Sequence, residues 1–382
     1  MSDQTQTIIV LGGGVGGVVA ATELRRRLKE RARIVLVDRQ RQQSFAPSYL
    51  WVMTGDRQAR SITRDLTRLE RKGIEVELGD VQRIDPARRV VDAGEREIAY
   101  DYLVLALGAE LAPEAVPGLA DAHTYYHLAG AERLREALAS FEGGRIALAV
   151  TGLPYKCPAA PYEGAMLLEH YFHARHLRHK VELAIYTPEP APLPVAGPAL
   201  GEAVQELLAH KGIAFHPGMQ PAAVEDHQLR FQDGATAPFD LLIAVPPHRA
   251  PSVVREAGLT DEAGWIPADP ATLETQHEGV FAVGDVTRIP LPDGKLLPKA
   301  GVFAHREAEV VARNIAARIL GTGERETFDG RGSCFLETGA GRAGMAQGDF
   351  YAEPRHITMR SPSPLWHWGK VAFERYWLWK WY

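Results

Sequence analysis

The chain has 382 residues, enough for two or three domains with sizeable cores. Charged residues make up 24% and hydrophobic residues 46%, and the net charge of −5 does not indicate nucleic-acid binding. The chain begins with a polar stretch and no run of 18 apolar residues occurs, so we expect neither a secretory signal nor a membrane-spanning helix. The two cysteines, Cys157 and Cys334, are too few for a disulfide framework or a zinc site.

A dinucleotide-binding fingerprint lies near the start of the chain. The apolar run Ile8–Leu11 predicts a strand, and a helical pattern follows three glycines at GxGxxG spacing: Gly12, Gly14 and Gly17. A second strand pattern ends in Asp38, where a carboxylate accepts hydrogen bonds from both hydroxyls of an adenosine ribose. The helix N-terminus after the glycines attracts phosphate. This order of strand, turn, helix, strand and acid predicts a Rossmann unit.

Two later segments indicate that the dinucleotide is FAD. The run Tyr102–Gly108 resembles the strand with which two-dinucleotide flavoproteins complete their first FAD segment. The strand pattern Val280–Val283 leads into Gly284 and Asp285, and resembles the motif whose Asp reaches the FAD ribityl and pyrophosphate region. A helix is predicted over 298–320, and the resemblance implies that its first turn lies under the isoalloxazine ring. Its dipole and Lys299 would there stabilise negative charge on reduced flavin.

These segments predict an α/β fold with two tandem Rossmann-like domains, as in glutathione-reductase-like flavoproteins, and a C-terminal amphipathic interface region. The predicted boundaries are 1–112 with 246–322 for the FAD domain, 113–245 for a second, degenerate Rossmann-like domain that carries Cys157, and 323–382 for the C-terminal region that carries Cys334.

The turn of the second Rossmann unit is unsuited to a nicotinamide cofactor. It reads TGLPYKCPAAPYEGA, in which Gly152 is retained and prolines replace the rest of a glycine fingerprint. The following strand, Val181–Tyr186, leads to Thr187 instead of a ribose-binding acid. A cysteine inside this turn indicates that it has changed from a phosphate cradle into a platform for a thiol.

The helix predicted over 161–179 carries four histidines spaced by three: His170, His173, His176 and His179. Because each step of three residues drifts by about 60° on a helix, they spread over half of its surface. We therefore expect a solvated face rather than a metal site.

Six segments together resemble the sulfide:quinone oxidoreductases and the related flavocytochrome c sulfide dehydrogenases: FAPSYLWVMTG, YKCPAAPYEGAM, VFAVGD, PKAGVFAHREAEVVARNI, SCFLETG and HWGKVAFERYWLWK. The resemblance runs along essentially the whole chain. It implies that Cys157 and Cys334 form a redox-active disulfide at the flavin, that hydrosulfide attacks this disulfide, and that reduced FAD passes two electrons to quinone. The sulfur would leave as polysulfide or as sulfane sulfur.

Glu163 matches the acid that this family places six residues after its first cysteine, and it would accept protons from H2S or a persulfide. A solvent-exposed glutamate at a helix N-terminus is the alternative interpretation. His127 and His305 are weaker candidates for the same proton transfer.

The last 18 residues contain five of the seven tryptophans. On a helix, Phe373, Trp377 and Trp381 form one stripe. Tryptophan and tyrosine favour a membrane interface, with Lys370, Arg375 and Lys380 available to lipid phosphates. The resemblance implies in addition that Lys370 faces the flavin or a quinone oxygen and that Phe373 stacks on the quinone head. A helix that docks onto the protein by its aromatic residues, or a dimer contact, is the alternative.

The sequence departs from the family in three ways that matter. The family cysteine upstream of the catalytic pair falls near Tyr126 and His127 here and is absent. The chain has no further cysteine to attach FAD covalently, so we expect non-covalent FAD. It has one aromatic segment where quinone-linked members continue into a second helix, so membrane attachment would be weak unless a homodimer doubles it. We expect a peripheral membrane protein, on the cytoplasmic side by default. Electron transfer to cytochrome c, type II NADH:quinone oxidoreductase activity and a non-catalytic flavin-binding role are the alternatives.

Overall fold

The computed structural model describes residues 5–382, apart from the side chain of His356. The first four residues, which belong to the predicted FAD domain and to the polar start of the chain, lie outside the described residues. The elements of the first part of the chain are β1 Gln6–Leu11, α1 Val15–Leu28, β2 Ala32–Asp38, β3 Gln42–Ser44, α2 Tyr49–Thr54, α3 Ala59–Ile62, β4 Thr63–Asp65, β5 Glu75–Leu78, β6 Val81–Asp85, β7 Val90–Ala93, β8 Arg96–Ala99, β9 Tyr102–Leu105 and β10 Glu110–Leu111.

The middle part begins with a helix and alternates strands with helices. Its elements are α4 Leu128–Ser140, β11 Gly144–Val150, α5 Ala160–Ala174, β12 Val181–Tyr186, α6 Pro198–His210, β13 Ala214–His216, β14 Pro221–Glu225, β15 Gln228–Phe231, β16 Thr236–Pro238 and β17 Leu241–Val245.

The last part contains a long helix, an antiparallel sheet and a terminal helix. Its elements are β18 His248–Arg249, α7 Ser252–Glu256, β19 Ile266–Pro267, β20 Val280–Ala282, β21 Thr287–Arg288, α8 Gly301–Leu320, β22 Arg331–Gly339, β23 Arg342–Asp349, β24 His356–Ser363 and α9 Pro364–Lys380.

The first parallel sheet has five strands in the order β20-β9-β1-β2-β5. Its three central strands are almost entirely buried, because helices cover both faces, which explains their near-continuous apolar sequences. The carboxyl ends of β1, β2 and β20 meet at one edge of this sheet. This edge therefore collects the glycine turn, Asp38 and Gly284, as expected for a doubly wound sheet that binds a ligand there.

The second parallel sheet has the order β13-β12-β11-β17, and α5 connects β11 to β12. The predicted fold class, with two tandem Rossmann-like sheets, is confirmed. We propose the domain boundaries predicted from the sequence for these two units, because the first sheet takes strands from both sides of the second.

A three-stranded antiparallel sheet, β22-β23-β24, precedes α9, and α9 packs against this sheet. The strand β22 also contacts α5, so the C-terminal region lies against the turn that carries Cys157. Among the described helices, none combines the length and the apolar sequence required to cross a bilayer.

Two predicted helix boundaries are wrong. The helix predicted over 298–320 begins at Gly301, since Pro298 and the two residues after it form an extended approach to the site. The helix predicted over 161–179 ends at Ala174, because His176 has a left-handed backbone with φ of 58°. Two of the four histidines therefore lie beyond the helix, in the turn and the short 3₁₀ helix after it.

Candidate active site

The glycine turn after β1 contains two positions where no side chain fits. Gly12 has φ of 101°, and a Cβ there would lie 2.3 Å from the carbonyl oxygen of Ala106. A Cβ on Gly17 would lie 1.7 Å from the carbonyl oxygen of Gly12, because α1 runs close to the strand. At Gly14, in contrast, a Cβ would meet no atom within 4 Å. The open side of the turn therefore presents the N-terminus of α1, which suits a pyrophosphate.

Asp38 ends β2 beside this turn. Its Oδ2 accepts a hydrogen bond from the Gly13 N–H at 2.6 Å, and its Oδ1 accepts one from the Gln40 N–H at 2.7 Å. Gly108, after β9, has φ of 69° and an open side where a Cβ would meet no atom within 4 Å. The backbone thus orients the Asp38 carboxylate at the edge where an adenosine ribose binds in this fold.

Gly284 and Asp285 form the next turn at the same edge. The Gly284 N–H donates to Oε2 of Glu307 at 2.6 Å, and burial raises the pKa of Glu307 to about 7. Burial also raises the pKa of Asp285, against the charges of Lys156 and Lys299, and among the described residues its carboxylate has no hydrogen-bond donor. A carboxylate without a protein donor at this position is suited to accept hydrogen bonds from a bound ligand.

Lys299 holds this turn through hydrogen bonds to its backbone carbonyls. Its Nζ donates to the carbonyl oxygens of Asp285 and Thr287, both at 2.8 Å, and lies 3.5 Å from the ring centroid of Trp265. Burial lowers the pKa of Lys299 to about 8. These contacts hold the backbone of the turn. The expected stabilisation of reduced flavin by Lys299 stays a prediction.

Cys157 lies in a tightly held turn before α5. Its backbone has φ of 53°, a left-handed conformation that side chains rarely adopt, so the turn holds it under strain. The Cys157 N–H donates to the Lys299 carbonyl oxygen at 2.7 Å, and its own carbonyl oxygen accepts from the Ala160 N–H at 2.9 Å. The hydroxyl of Tyr126 donates to the same carbonyl at 3.4 Å. These bonds fix the thiol relative to the approach to α8.

Cys334, on β22, lies near Cys157, and both are free thiols in this structure. Burial raises the pKa of Cys157, and the neighbouring charges of Cys334 and Glu163 raise it further. The side chain of Cys334 is open to solvent, yet the surrounding protein atoms and Glu163 raise its pKa to about 11, against the effect of Lys370. The structure therefore brings the two predicted thiols into electrostatic contact.

Glu163 and Lys370 form a buried ion pair beside the thiols. Glu163 is 2% exposed, and its Oε1 accepts from Lys370 Nζ at 2.9 Å and from the Glu337 N–H at 2.8 Å. Burial opposes the charge of Lys370, but the carboxylates of Glu163 and Glu337 outweigh it and raise the pKa of Lys370. The interpretation of Glu163 as solvent-exposed is wrong, as is the prediction that Lys370 is available to lipid phosphates. Phe373, the other predicted quinone residue, is partly exposed, with its ring 6.0 Å from that of Phe45.

Two residues that sequence reasoning missed extend this cluster. Both carboxylate oxygens of Glu337 lie 3.1 Å from Nδ1 of His367. Glu337 is three residues after Cys334, and His367 is three residues before Lys370, so each lies close in sequence to a predicted site residue. Such spacing is common by chance, and only the packing of α9 on β22 reveals the pair.

The acidic residue near the end of β12 is not available to a nicotinamide cofactor, because its carboxylate is already hydrogen-bonded within the protein. Beyond Thr187, Oε2 of the buried Glu189 accepts hydrogen bonds from the hydroxyls of Tyr155 at 2.8 Å and Tyr162 at 2.9 Å. The carboxylate of Glu189, close to the ribose-binding position of this unit, is thus bonded to Tyr155 in the turn that carries Cys157 and to Tyr162 in α5.

Two of the three residues of the predicted stripe are buried, and α9 exposes another face. Trp377 and Trp381 are buried, which contradicts their assignment to a membrane-facing stripe, because this side of α9 packs on the protein. The outward face carries large apolar side chains instead: Leu365, Trp368, Tyr376 and Trp379. The buried Glu374 of α9 pairs with Arg57, so the helix is anchored by an ion pair as well as by its aromatic residues.

Residues 6–308 match the family of the pyridine nucleotide-disulphide oxidoreductases. The chain belongs to this family. It is 27% identical to the mitochondrial sulfide:quinone oxidoreductase of Mus musculus, covering 91% of this chain and 79% of the relative. It is 28% identical to the sulfide-quinone reductase of Aquifex aeolicus, covering 98% and 90% of the two chains.

Among solved structures, the sulfide:quinone oxidoreductase of Aquifex aeolicus is similar with a TM-score of 0.90 at 26% identity, covering 99% of this chain and 91% of that one. A NAD-dependent persulfide reductase from A. fulgidus has a TM-score of 0.69 at 21% identity, covering 90% and 64%, and shares the fold. The predicted resemblance to sulfide:quinone oxidoreductases is confirmed, and family membership implies a flavin cofactor. The open glycine turn, Asp38 and the unpaired Asp285 carboxylate fit such a group.

Proposed function

We propose that this protein is an FAD-dependent sulfide:quinone oxidoreductase. The observation that carries the proposal is that Cys157 and Cys334 lie close enough for their charges to interact with each other and with the buried pair of Glu163 and Lys370. Relatives named for this activity match the chain over nearly its full length, which supports the same assignment.

FAD would be held without a covalent bond. Gly12, Gly14 and Gly17 would face its pyrophosphate, Asp38 the adenosine ribose, and Asp285 the ribityl and pyrophosphate region, with Gly108 and Gly284 at the same sheet edge. When bound, the flavin supplies a two-electron acceptor next to the thiols and a donor to quinone.

The sulfur chemistry follows from the two thiols. Hydrosulfide attacks one sulfur of a Cys157–Cys334 disulfide, so that the S–S bond breaks, a cysteine persulfide forms and the other cysteine leaves as a thiolate. A second hydrosulfide attacks the persulfide, releases H2S2 and leaves a second thiolate. When the two thiolates close the disulfide again, they release two electrons, for which the bound flavin would be the acceptor. Two hydrosulfide ions therefore give one H2S2 and two electrons.

Glu163 would accept the proton that H2S loses before attack, a role supported by the effect of its charge on both thiols. Lys370 holds Glu163 in position through the bond of 2.9 Å. Lys370 also lowers the pKa of both thiols, which favours the thiolate leaving group. The pair thus serves proton transfer and leaving-group stabilisation at one place.

Quinone would bind beside α9, with Lys370 near a quinone oxygen and Phe373 against its ring. The exposed face of Leu365, Trp368, Tyr376 and Trp379 would rest in a membrane interface, where such side chains are favoured. We propose peripheral attachment through this face, strengthened if two copies bind together.

The inward-turned Glu189 argues against nicotinamide binding, since its carboxylate is engaged by two tyrosine hydroxyls. Purified oxidised protein should therefore lose its flavin absorbance when mixed anaerobically with micromolar sulfide, but not with NADH. Cys157→Ser and Cys334→Ser should each abolish the loss. Decylubiquinone should then restore the oxidised spectrum faster than cytochrome c does.

Each other outcome identifies an alternative. Bleaching by NADH without sulfide would indicate a type II NADH:quinone oxidoreductase. Faster reoxidation by cytochrome c would indicate a sulfide dehydrogenase of the flavocytochrome type. Sulfide bleaching that persists in both cysteine variants would remove the thiol mechanism.

A further inference from the structure

The pair of Glu337 and His367 has the form of a carboxylate–histidine dyad. Glu337 is 1% exposed, and both its oxygens lie 3.1 Å from Nδ1 of His367. A carboxylate at Nδ1 fixes the proton on that nitrogen and leaves Nε2 to accept or donate a second proton. This arrangement orients the imidazole, as in proton-transferring histidines.

His367 connects the buried cluster to the surface. Its side chain is 22% exposed, against 3% for Glu163, 8% for Lys370 and 1% for Glu337. Its ring lies edge-on to Trp51 at 5.9 Å and next to the exposed Trp368 at 5.7 Å. Protons that reach the cluster from outside therefore have a short route through His367, beside the aromatic face of α9.

The dyad is also joined to the pair at the thiols. The Glu337 N–H donates to the same Glu163 oxygen that accepts from Lys370. The Glu337 carboxylate acts on Lys370 through its charge, and the flexible lysine stem allows the ammonium to move towards it. Burial raises the pKa of Glu337, and the charges of Lys370 and His367 oppose this effect.

We propose that His367, oriented by Glu337, is the residue through which protons enter this enzyme from solvent (the proton port). It supplies, through Lys370, the protons that are consumed when quinone is reduced. The proposal rests on the proposed function. Reduction of a quinone to a quinol takes two electrons and two protons. Each time Lys370 donates a proton to a quinone oxygen, it regains one from the dyad, and His367 regains one at Nε2 from water. The dyad itself is neither oxidised nor reduced.

Charged groups surround His367 on its protein-facing side. The groups that face it are Glu337 on β22, Lys370 on its own helix and, through Lys370, Glu163 on α5, while α2 contributes the uncharged Trp51. With His367 neutral, the two carboxylates and one ammonium carry a net charge of −1 (−2 + 1), and protonation of His367 brings the cluster to zero. A proton is thus attracted to the port each time one leaves it.

The test separates the two half-reactions of the flavin-loaded protein in a stopped-flow instrument. In His367→Gln, sulfide should reduce the flavin at a rate within about twofold of the wild-type rate. Decylubiquinone should reoxidise that flavin about 10²-fold more slowly than in the wild type, which is the usual contribution of a proton-transferring side chain. Imidazole should restore the reoxidation of His367→Gly in proportion to its concentration. His179→Gln, at an exposed histidine on the protein surface, is the matched control and should leave both rates unchanged.

Glu337→Gln, which keeps the shape of the side chain, should slow reoxidation and shift its pH dependence. In the wild-type protein, D2O should slow flavin reoxidation several-fold and leave flavin reduction by sulfide unchanged. This measurement does not require any variant to fold. Unchanged reoxidation in His367→Gln, or no effect of D2O on that step, would overturn the proton port and leave the proposed function standing. Failure of sulfide to reduce the wild-type flavin would instead overturn the proposed function.

Discussion

Lys370 of the terminal helix and Glu163 of α5 form an ion pair at 2.9 Å across 207 positions of sequence, and both are buried. The pair joins the residue that the family resemblance assigns to quinone to the acid that it assigns to sulfur. Because the same glutamate oxygen accepts from the backbone of β22, three separate segments converge on one atom. Sulfide chemistry and quinone chemistry are therefore electrostatically coupled in the proposed enzyme.

Breaking this pair should destabilise the fold. Lys370→Met leaves the buried Glu163 carboxylate without its cation, and we expect the free energy of unfolding to fall by about 3–5 kcal/mol. The double variant Glu163→Gln/Lys370→Met should lose less than the sum of the two single variants, because neither charge then remains unpaired. Urea unfolding of the four proteins measures this coupling.

The exposed pair of Arg33 and Glu75 is the matched control for that experiment. Arg33→Met should cost no more than about 1 kcal/mol, since solvent screens a surface pair. If Lys370→Met costs no more than Arg33→Met does, the buried pair does not stabilise the fold.

The sequence predicted the fold and much of the site because the fingerprints are local. The glycine turn, Asp38 and Gly284-Asp285 each lie within a few residues of the strand that positions them, so their geometry follows from secondary structure. The pairing of Glu163 with Lys370 depends on how α9 packs on β22, a long-range contact that no local pattern encodes. For the same reason, the choice between the two aromatic faces of α9 needed the structure.

The glycine turn makes a prediction that distinguishes folding from cofactor binding. Gly17→Ala should destabilise the protein strongly, because its Cβ would overlap the Gly12 carbonyl oxygen. A Cβ at position 14 would have free space around it. Without flavin, Gly14→Ala should therefore unfold at nearly the same urea concentration as the flavin-free wild type. It should nevertheless retain less flavin after gel filtration, since the added methyl group would stand on the side proposed for pyrophosphate. Equal flavin retention in Gly14→Ala and the wild type would contradict that orientation.

The thiol pKa values predict which cysteine reacts first with an alkylating agent. The pKa of Cys334 is raised to about 11 and that of Cys157 is raised more, while Cys334 is also the more exposed. Because the thiolate is the reactive form, alkylation of the reduced protein by iodoacetamide should be slow at pH 7 and should increase about tenfold per pH unit towards pH 11. Peptide mass spectrometry should find label on Cys334 before Cys157. Lys370→Met should slow the reaction further, as it removes the cation that lowers both pKa values.

The outward face of α9 leads to the last prediction, on membrane attachment. Trp368 and Trp379 are 65% and 75% exposed, so replacing them should leave the fold intact while removing the largest apolar side chains from that face. Burial of such a side chain contributes roughly 1.5–3 kcal/mol, and we expect Trp368→Ser/Trp379→Ser to bind vesicles of anionic phospholipid about 10²-fold more weakly in sedimentation assays. Leu78→Ser removes an exposed apolar side chain from β5 and should bind as the wild type does. If the double variant also retains wild-type binding, the attachment lies elsewhere on the protein, and the face is better explained as a contact between two copies of the chain.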